Sequence, residues 1–337
     1  MDQGLNNIAN AMVVSGKGIL AADESFGTIE KRFAKINLPS TEEHRRAYRE
    51  MLFTAPGIGE YISGVILFDE TIRQRSKDGV PFVEILQKGG VIPGIKVDQG
   101  TKAMDVSSGE KVTKGLEGLT GRLEEYMQLG AKFAKWRAVI TIGDWLPTEA
   151  NIRQNAKDLA AYAFACQQVG LVPIVEPEVL MDGAHTMERC EEVSRQTLRA
   201  VFEALDAAGV HIPGMILKTN MVVPGKLSGQ SAKPAEIAAA TVSLFKEILP
   251  DSLPGEAFLS GGQSEIEATE NLNEINKLGP FPWRLTFSYG RALQDSALKT
   301  WNGRAENVVA AQQRFLHRAR MNSLATVAGY SKDTEVY

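Results

Sequence analysis

Cysteine, histidine and long apolar runs are scarce in this chain, and each scarcity removes a class of function. The two cysteines, Cys166 and Cys190, lie in segments of helical periodicity and lack CxxC spacing. Thiols so placed make no disulfide framework and fit a reducing compartment. The four histidines, His44, His185, His211 and His317, form no HxxxH or HxH pair, so no zinc or other metal site is expected. No run approaches the roughly 20 apolar residues of a membrane span. The opening MDQGLNNIANAMVVSGKG lacks the charged start and apolar block of a signal peptide. A basic excess is missing too: 37 Lys and Arg against 41 Asp and Glu give a net charge of -4. That balance argues against nucleic acid as the main partner, yet it permits a phosphorylated substrate, which needs only a local basic pocket. The expectation is a soluble, cytoplasmic protein with no membrane contact.

What is present is a chain of 337 residues, 44% hydrophobic, enough for one large barrel or two ordinary domains. Short apolar runs occupy 19–22, 62–68, 91–98, 133–140, 171–177, 215–217, 257–262 and 283–290. Between them lie helical patterns, among them 82–87, 116–129, 149–169, 187–208 and 234–248, with a first helix at 5–14. The stretch 101–113, rich in Gly, Ser and Lys, reads as a loop. Continuous rather than alternating apolar runs suit parallel strands covered on both faces. The order predicts an α/β fold, a (β/α)8 TIM barrel. It forms a single domain over 1–337, with an N-terminal helix and a short tail from about 329 to 337. An open doubly wound sheet with a cap is the alternative, weakened because no GxGxxG follows the first strand.

Polar residues stand at the C-terminal ends of nearly every predicted strand: Asp23, Lys96, Lys135 with Arg137, Glu176 with Glu178, Lys218, Ser260 and Arg291. In a barrel those ends converge on the face where active sites are built. Lys218 closes the run Met215 to Leu217. Alone it reads first as a solvated strand terminus; the sharper reading is an amine whose pKa falls in a dry mouth, ready to attack a carbonyl. Lys135 bears on the choice, since two ammonium groups in one pocket disfavour each other's charge. Asp23 and Glu176 are the carboxylates to move protons, with Glu178 beside them. An ion-pair network across the mouth is the competing reading. Ser260-Gly261-Gly262 precedes a helix opening at Ser264, and Tyr289-Gly290-Arg291 forms a second Gly-containing turn with a guanidinium, both suited to anions. Lys96 and Arg137, with the hydroxyls of Ser25 and Thr28, make a second anion-binding group. Two anion sites flanking an amine point to a bisphosphorylated sugar.

Apart from Thr28, these residues fall within the motif series GKGILAADES (16–25), GVILF (64–68), GIKVDQG (94–100), FAKWR (133–137), VPIVEPE (172–178), ILKTN (216–220), FLSGGQS (258–264) and FSYGRALQ (287–294). With all of these motifs in order, the sequence resembles the class I, Schiff-base-forming fructose-bisphosphate aldolases along nearly its whole length. The resemblance implies reversible cleavage of fructose 1,6-bisphosphate to dihydroxyacetone phosphate and glyceraldehyde 3-phosphate, without metal or other cofactor. It implies that Lys218 forms the imine at C2, Glu176 is its general acid/base, Asp23 takes the C4 hydroxyl proton, and Lys135 positions that hydroxyl. It places the C1 phosphate against Ser260, Gly261, Gly262, Ser288, Gly290 and Arg291. The C6 phosphate falls near Ser25, Thr28, Lys96 and Arg137, and Arg32 and Arg45 are associated with substrate phosphate. A homotetramer is implied as well.

Two residues depart from the family pattern: Thr219 follows the lysine where animal members commonly have Pro, and Phe26 replaces a small residue. Family members often end in a mobile segment with a terminal Tyr that aids proton transfer. Here Tyr337 stands seven positions after Tyr330, a reach of roughly 23 Å, and a frayed polar terminus is the rival reading. The rival functions are another Schiff-base barrel acting on sedoheptulose phosphates, a metal-dependent aldolase, and a barrel kept only for binding.

Overall fold

A computed structural model of the chain describes residues 2–105 and 109–335. In chain order its strands are β1 (Gly18–Ala22), β2 (Ile62–Leu67), β3 (Ile92–Lys96), β4 (Thr101–Ala103), β5 (Lys111–Thr113), β6 (Phe133–Ile140), β7 (Val172–Val179), β8 (Ile216–Leu217), β9 (Gly255–Phe258) and β10 (Arg284–Tyr289). Eight of them close a parallel barrel in the order β1-β10-β9-β8-β7-β6-β3-β2, while β4 and β5 pair separately. The expected (β/α)8 barrel is therefore the observed fold.

The helices are α1 (Asp2–Met12), α2 (Phe26–Ala34), α3 (Glu42–Phe53), α4 (Asp69–Arg73), α5 (Phe82–Lys88), α6 (Leu119–Gln128), α7 (Glu149–Gln168), α8 (Met187–Ala207), α9 (Pro234–Ile248), α10 (Glu265–Lys277), α11 (Arg291–Trp301) and α12 (Val308–Ala325). Several open on side-chain caps that sequence alone announces. Thr148 accepts from Asn151 N–H, Thr186 from Arg189 N–H, and Ser264 with Glu267 forms a capping box. Their apolar faces pack on the outward residues of the barrel, as where Trp136 stacks on Tyr162 at 5.6 Å.

A second, smaller core fills the barrel itself. Ile19, Ile66, Phe133, Val172, Ile174, Ile216 and Ala257 meet there with Leu5, Ala9 and Met12 of α1. A Cβ on Gly94 would collide with the Phe133 ring, so glycine makes room for that ring inside the barrel. Helix α1 lies across the strand starts, and Ser63 Oγ donates to its last carbonyl, that of Met12, at 2.6 Å. The barrel is thus apolar and sealed at the end where its strands begin.

Within the stretch expected as a loop, 101–113, Thr101–Ala103 and Lys111–Thr113 instead pair antiparallel as β4 and β5, with Thr101 opposite Thr113 and Ala103 opposite Lys111. Three-residue strands are too short for alternation to show in sequence. Distant partners hold the pair: Thr113 Oγ1 donates to the Arg137 carbonyl at 2.8 Å, and Glu110 accepts from Thr148 N–H and Oγ1, each at 2.7 Å. Among the described residues no helix is long and apolar enough to cross a membrane. Tyr337 lies outside the described residues.

Candidate active site

Successive side chains of a strand point to opposite faces, so each residue facing the lumen starts a column of every second position. On β6 that column runs Phe133, Lys135, Arg137; on β7 it runs Val172, Ile174, Glu176, Glu178. From β1 it runs Ile19, Ala21, Asp23, and from β8 Ile216, Lys218. Each column begins apolar and ends charged, which stacks the ionisable groups over the apolar plug at the C-terminal mouth. The intervening residues, Trp136 and Leu217 among them, face the helices instead.

The charged layer is tightly paired. Lys135 Nζ lies 2.7 Å from Asp23 Oδ2, 3.3 Å from Glu176 Oε2 and 4.0 Å from Asp98 Oδ2. The other oxygen of Glu176 is 3.2 Å from Lys218 Nζ, so one carboxylate bridges both amines. Lys135, Glu176 and Lys218 are each no more than 4% exposed. Burial pushes the Lys135 ammonium toward neutrality, but Asp23, Glu176 and Asp98 outweigh it and hold Lys135 protonated far above the usual lysine range. Burial likewise favours neutral Asp23, and the charges of Lys135 and Lys218 overcome it, keeping that carboxyl well below the usual carboxylate range. Lys135 is thus held as a cation.

These groups line a cavity of about 330 Å³ together with Ser25, Thr28, Arg32, Lys96, Arg137 and Gly290. A roomier groove of about 620 Å³ lies between α7 and α8, but the converging charges are all in the smaller one. On the β1 side, Ser25 Oγ and Thr28 Oγ1 are 3.1 Å apart, Lys96 pairs with Asp98 at 3.1 Å, and Arg137 pairs with buried Glu178. Arg32 is bound to Glu24, which also holds Arg49. Arg45 does not line this cavity. Its Nε donates to Glu70 at 2.8 Å and its Nη1 to the Ser40 carbonyl at 2.7 Å. Its guanidinium covers the Phe26 ring at 4.8 Å, and Phe26 packs edge-on against Phe68 at 5.2 Å.

Of the other anion group only Gly290 lines the cavity; Ser260, Gly261, Gly262, Ser288 and Arg291 lie outside its lining. Ser260, Gly261 and Gly262 follow β9, and Gly261 has a φ of +57°, where glycine is favoured. Arg291 donates to the Gly261 carbonyl, so the turns after β9 and β10 touch. The Gly262 N–H donates to Met181 Sδ at 2.7 Å. Ser288 is buried, and its Oγ makes no hydrogen bond among the described residues.

Three residues of this neighbourhood escape the sequence reading. Asp98 was visible only as a charge ending an apolar run, although its position two residues after Lys96 puts it in the same column. Glu24 gains its role by joining Arg32 to Arg49, a spacing that matches no motif. Met181 reaches Gly262 from the loop after β7 with no sequence signal at all.

Comparison with known proteins agrees with this fold. The family model described as fructose-bisphosphate aldolase class-I matches residues 4–336. A cytosolic fructose-bisphosphate aldolase 4 of Arabidopsis thaliana is 53% identical over 332 residues, 98% of this chain and 84% of that protein. A probable class 1 fructose-bisphosphate aldolase of Xanthomonas axonopodis pv. citri is 53% identical over 96% of this chain and 97% of its own. Among solved structures, the fructose-bisphosphate aldolase of Plasmodium falciparum, in complex with TRAP and a small-molecule inhibitor, superposes with a TM-score of 0.97. It is 49% identical, covering 98% of this chain and 96% of that one. With a family match over nearly its whole length and relatives this close, the chain belongs to the class I fructose-bisphosphate aldolase family.

Proposed function

We propose that this protein cleaves fructose 1,6-bisphosphate reversibly to dihydroxyacetone phosphate and glyceraldehyde 3-phosphate through an imine on Lys218. The observation that carries this reading is Glu176, whose two oxygens lie 3.2 Å from Lys218 and 3.3 Å from Lys135. A carboxylate in that position delivers and removes the protons of amine addition at C2 and loss of water from the carbinolamine. Lys135, held as a cation, donates to the C4 hydroxyl. Asp23 accepts that hydroxyl proton as the C3–C4 electron pair moves into the iminium. The aldehyde half leaves, the enamine is protonated at C3, and water frees the ketone and Lys218.

Glu178 orients Arg137 for the C6 phosphate, which Ser25, Thr28 and Lys96 share. Arg32 adds its charge at Gly290. Arg45 acts indirectly, by holding Phe26 and Glu70. Ser260, Gly261, Gly262, Ser288, Gly290 and Arg291 receive the C1 phosphate. The whole chain acts as one domain, in a homotetramer. A cytoplasmic location is supported by the names of the cytosolic relatives.

Borohydride reduction in the presence of dihydroxyacetone phosphate, followed by peptide mass analysis, tests the central step. The adduct is expected on Lys218. An adduct on Lys135, or none, would sink the assignment. Lys218→Ala is expected to abolish cleavage with an unchanged circular dichroism spectrum, since removing a strand-end amine opens no core cavity.

A further inference from the structure

Thr219 follows Lys218 directly, on the face of the barrel wall that points away from the lumen. Around it the ladder between β8 and β9 is irregular. Leu217 pairs with Glu256, Lys218 N–H goes to the Val175 carbonyl of β7 at 2.8 Å, and Leu259 N–H goes to the Thr219 carbonyl at 2.9 Å. A regular parallel ladder with those bonds would send Thr219 N–H to the Ala257 carbonyl. It goes instead to the Glu256 side chain, whose Oε1 accepts at 3.0 Å. Glu256 is fully buried, its Oε2 has no hydrogen-bond partner, and no cation pairs with it among the described residues.

We infer that Glu256 is a positioning residue for the imine-forming lysine: its carboxyl holds the peptide that joins Lys218 to Thr219. The inference rests on Lys218 being the nucleophile. A buried N–H needs an acceptor, and a proline at 219 would need none. The Thr in place of the Pro common in animal members and the Glu on the neighbouring strand are therefore one device in two parts. Thr219 brings an amide hydrogen that Glu256 answers, and the bond fixes the end of β8 just where the amine leaves the backbone. Burial pushes the Glu256 carboxyl well above its ordinary range, against Thr219 N–H and the Lys218 charge, which both favour ionisation. A neutral acid in this place adds no negative charge behind the amine.

Steady-state kinetics, thermal unfolding and borohydride trapping on four proteins test this. Glu256→Gln keeps the acceptor and is expected to hold kcat within about twofold, because a neutral amide oxygen can take the same N–H. Glu256→Leu strands that N–H and is expected to lower kcat about 10-fold, with KM within about twofold, and to slow trapping on Lys218. Adding Thr219→Pro to Glu256→Leu removes donor and acceptor together and is expected to recover most of the loss. The inference is overturned if Glu256→Leu costs melting temperature but leaves kcat and trapping unchanged. It is also overturned if Glu256→Gln behaves like Leu, or if the double variant is no better than Glu256→Leu. Wild-type trapping on another residue would remove the nucleophile and this inference with it. Wild-type trapping on Lys218 with no change in Glu256→Leu would remove the inference alone.

Discussion

Lys135 and Glu256 are both buried ionisable residues near Lys218, and their surroundings drive them opposite ways. Lys135 has three carboxylates in reach and keeps its charge. Glu256 has one backbone N–H, and its titratable neighbours are Lys218 on one side and Tyr289 on the other, the latter itself pushed up by burial and by Glu256. The folded protein therefore retains a proton on Glu256 that the unfolded chain releases above about pH 4.3. With more protons bound in the native state, stability falls as pH rises through that window. Against wild type, Glu256→Gln should be equally stable near pH 4. Its advantage should then grow by about 1.4 kcal/mol per pH unit above about pH 5 until Glu256 ionises. Urea unfolding from pH 4 to 8 measures it, and parallel curves for the two proteins would show Glu256 ionised in the fold. At this scale the sequence was legible where a charge closes an apolar strand run, as for Lys218, Glu176, Asp23 and Lys135, whose partners come from one another's strand ends. Glu256 was silent because its meaning depends on a hydrogen bond to another strand, and Asp98 because a strand-end charge has a common bland explanation.

Elements were read best where length gave the pattern room. The expected strand 133–140 and helix 234–248 coincide with β6 and α9. The strand ending at Lys218 shrinks to the two residues of β8, preceded by a 3-10 turn at Ile212–Gly214, because Pro213 and the Glu256 bond interrupt the ladder at either end. Helix α1 was expected as a short amphipathic helix at 5–14, but nothing in its sequence said what its apolar face covers. Covering the barrel base is a tertiary fact, and it makes a measurable claim. Met12 is fully buried against the lumen residues, so Met12→Ala should cost about 2–5 kcal/mol of unfolding free energy. A loss below about 1 kcal/mol in denaturant unfolding would mean that α1 is only loosely seated.

For the whole molecule, a net charge of -4 coexists with a mouth where Arg32, Lys96, Lys135, Arg137 and Lys218 line one cavity with Asp23, Glu24, Asp98 and Glu176, basic side chains outnumbering acidic ones by five to four. Low-dielectric walls focus that local field on an anionic substrate despite the opposite overall sign. The KM for fructose 1,6-bisphosphate should accordingly rise several-fold between about 0.01 and 0.15 M ionic strength, as the screening length falls from about 30 to 8 Å. A KM independent of salt would mean that short-range contacts alone bind the phosphates. The barrel was legible because its apolar runs, interleaved with helical periods, have few other arrangements. The filled base has one more consequence. A barrel packed solid beneath its reactive layer is a cul-de-sac, and traffic must reverse through its entrance. Under the proposed mechanism, the half of a cleaved sugar still bonded to Lys218 has to wait until the other half has departed, so the order of departure follows from the plug as much as from the chemistry.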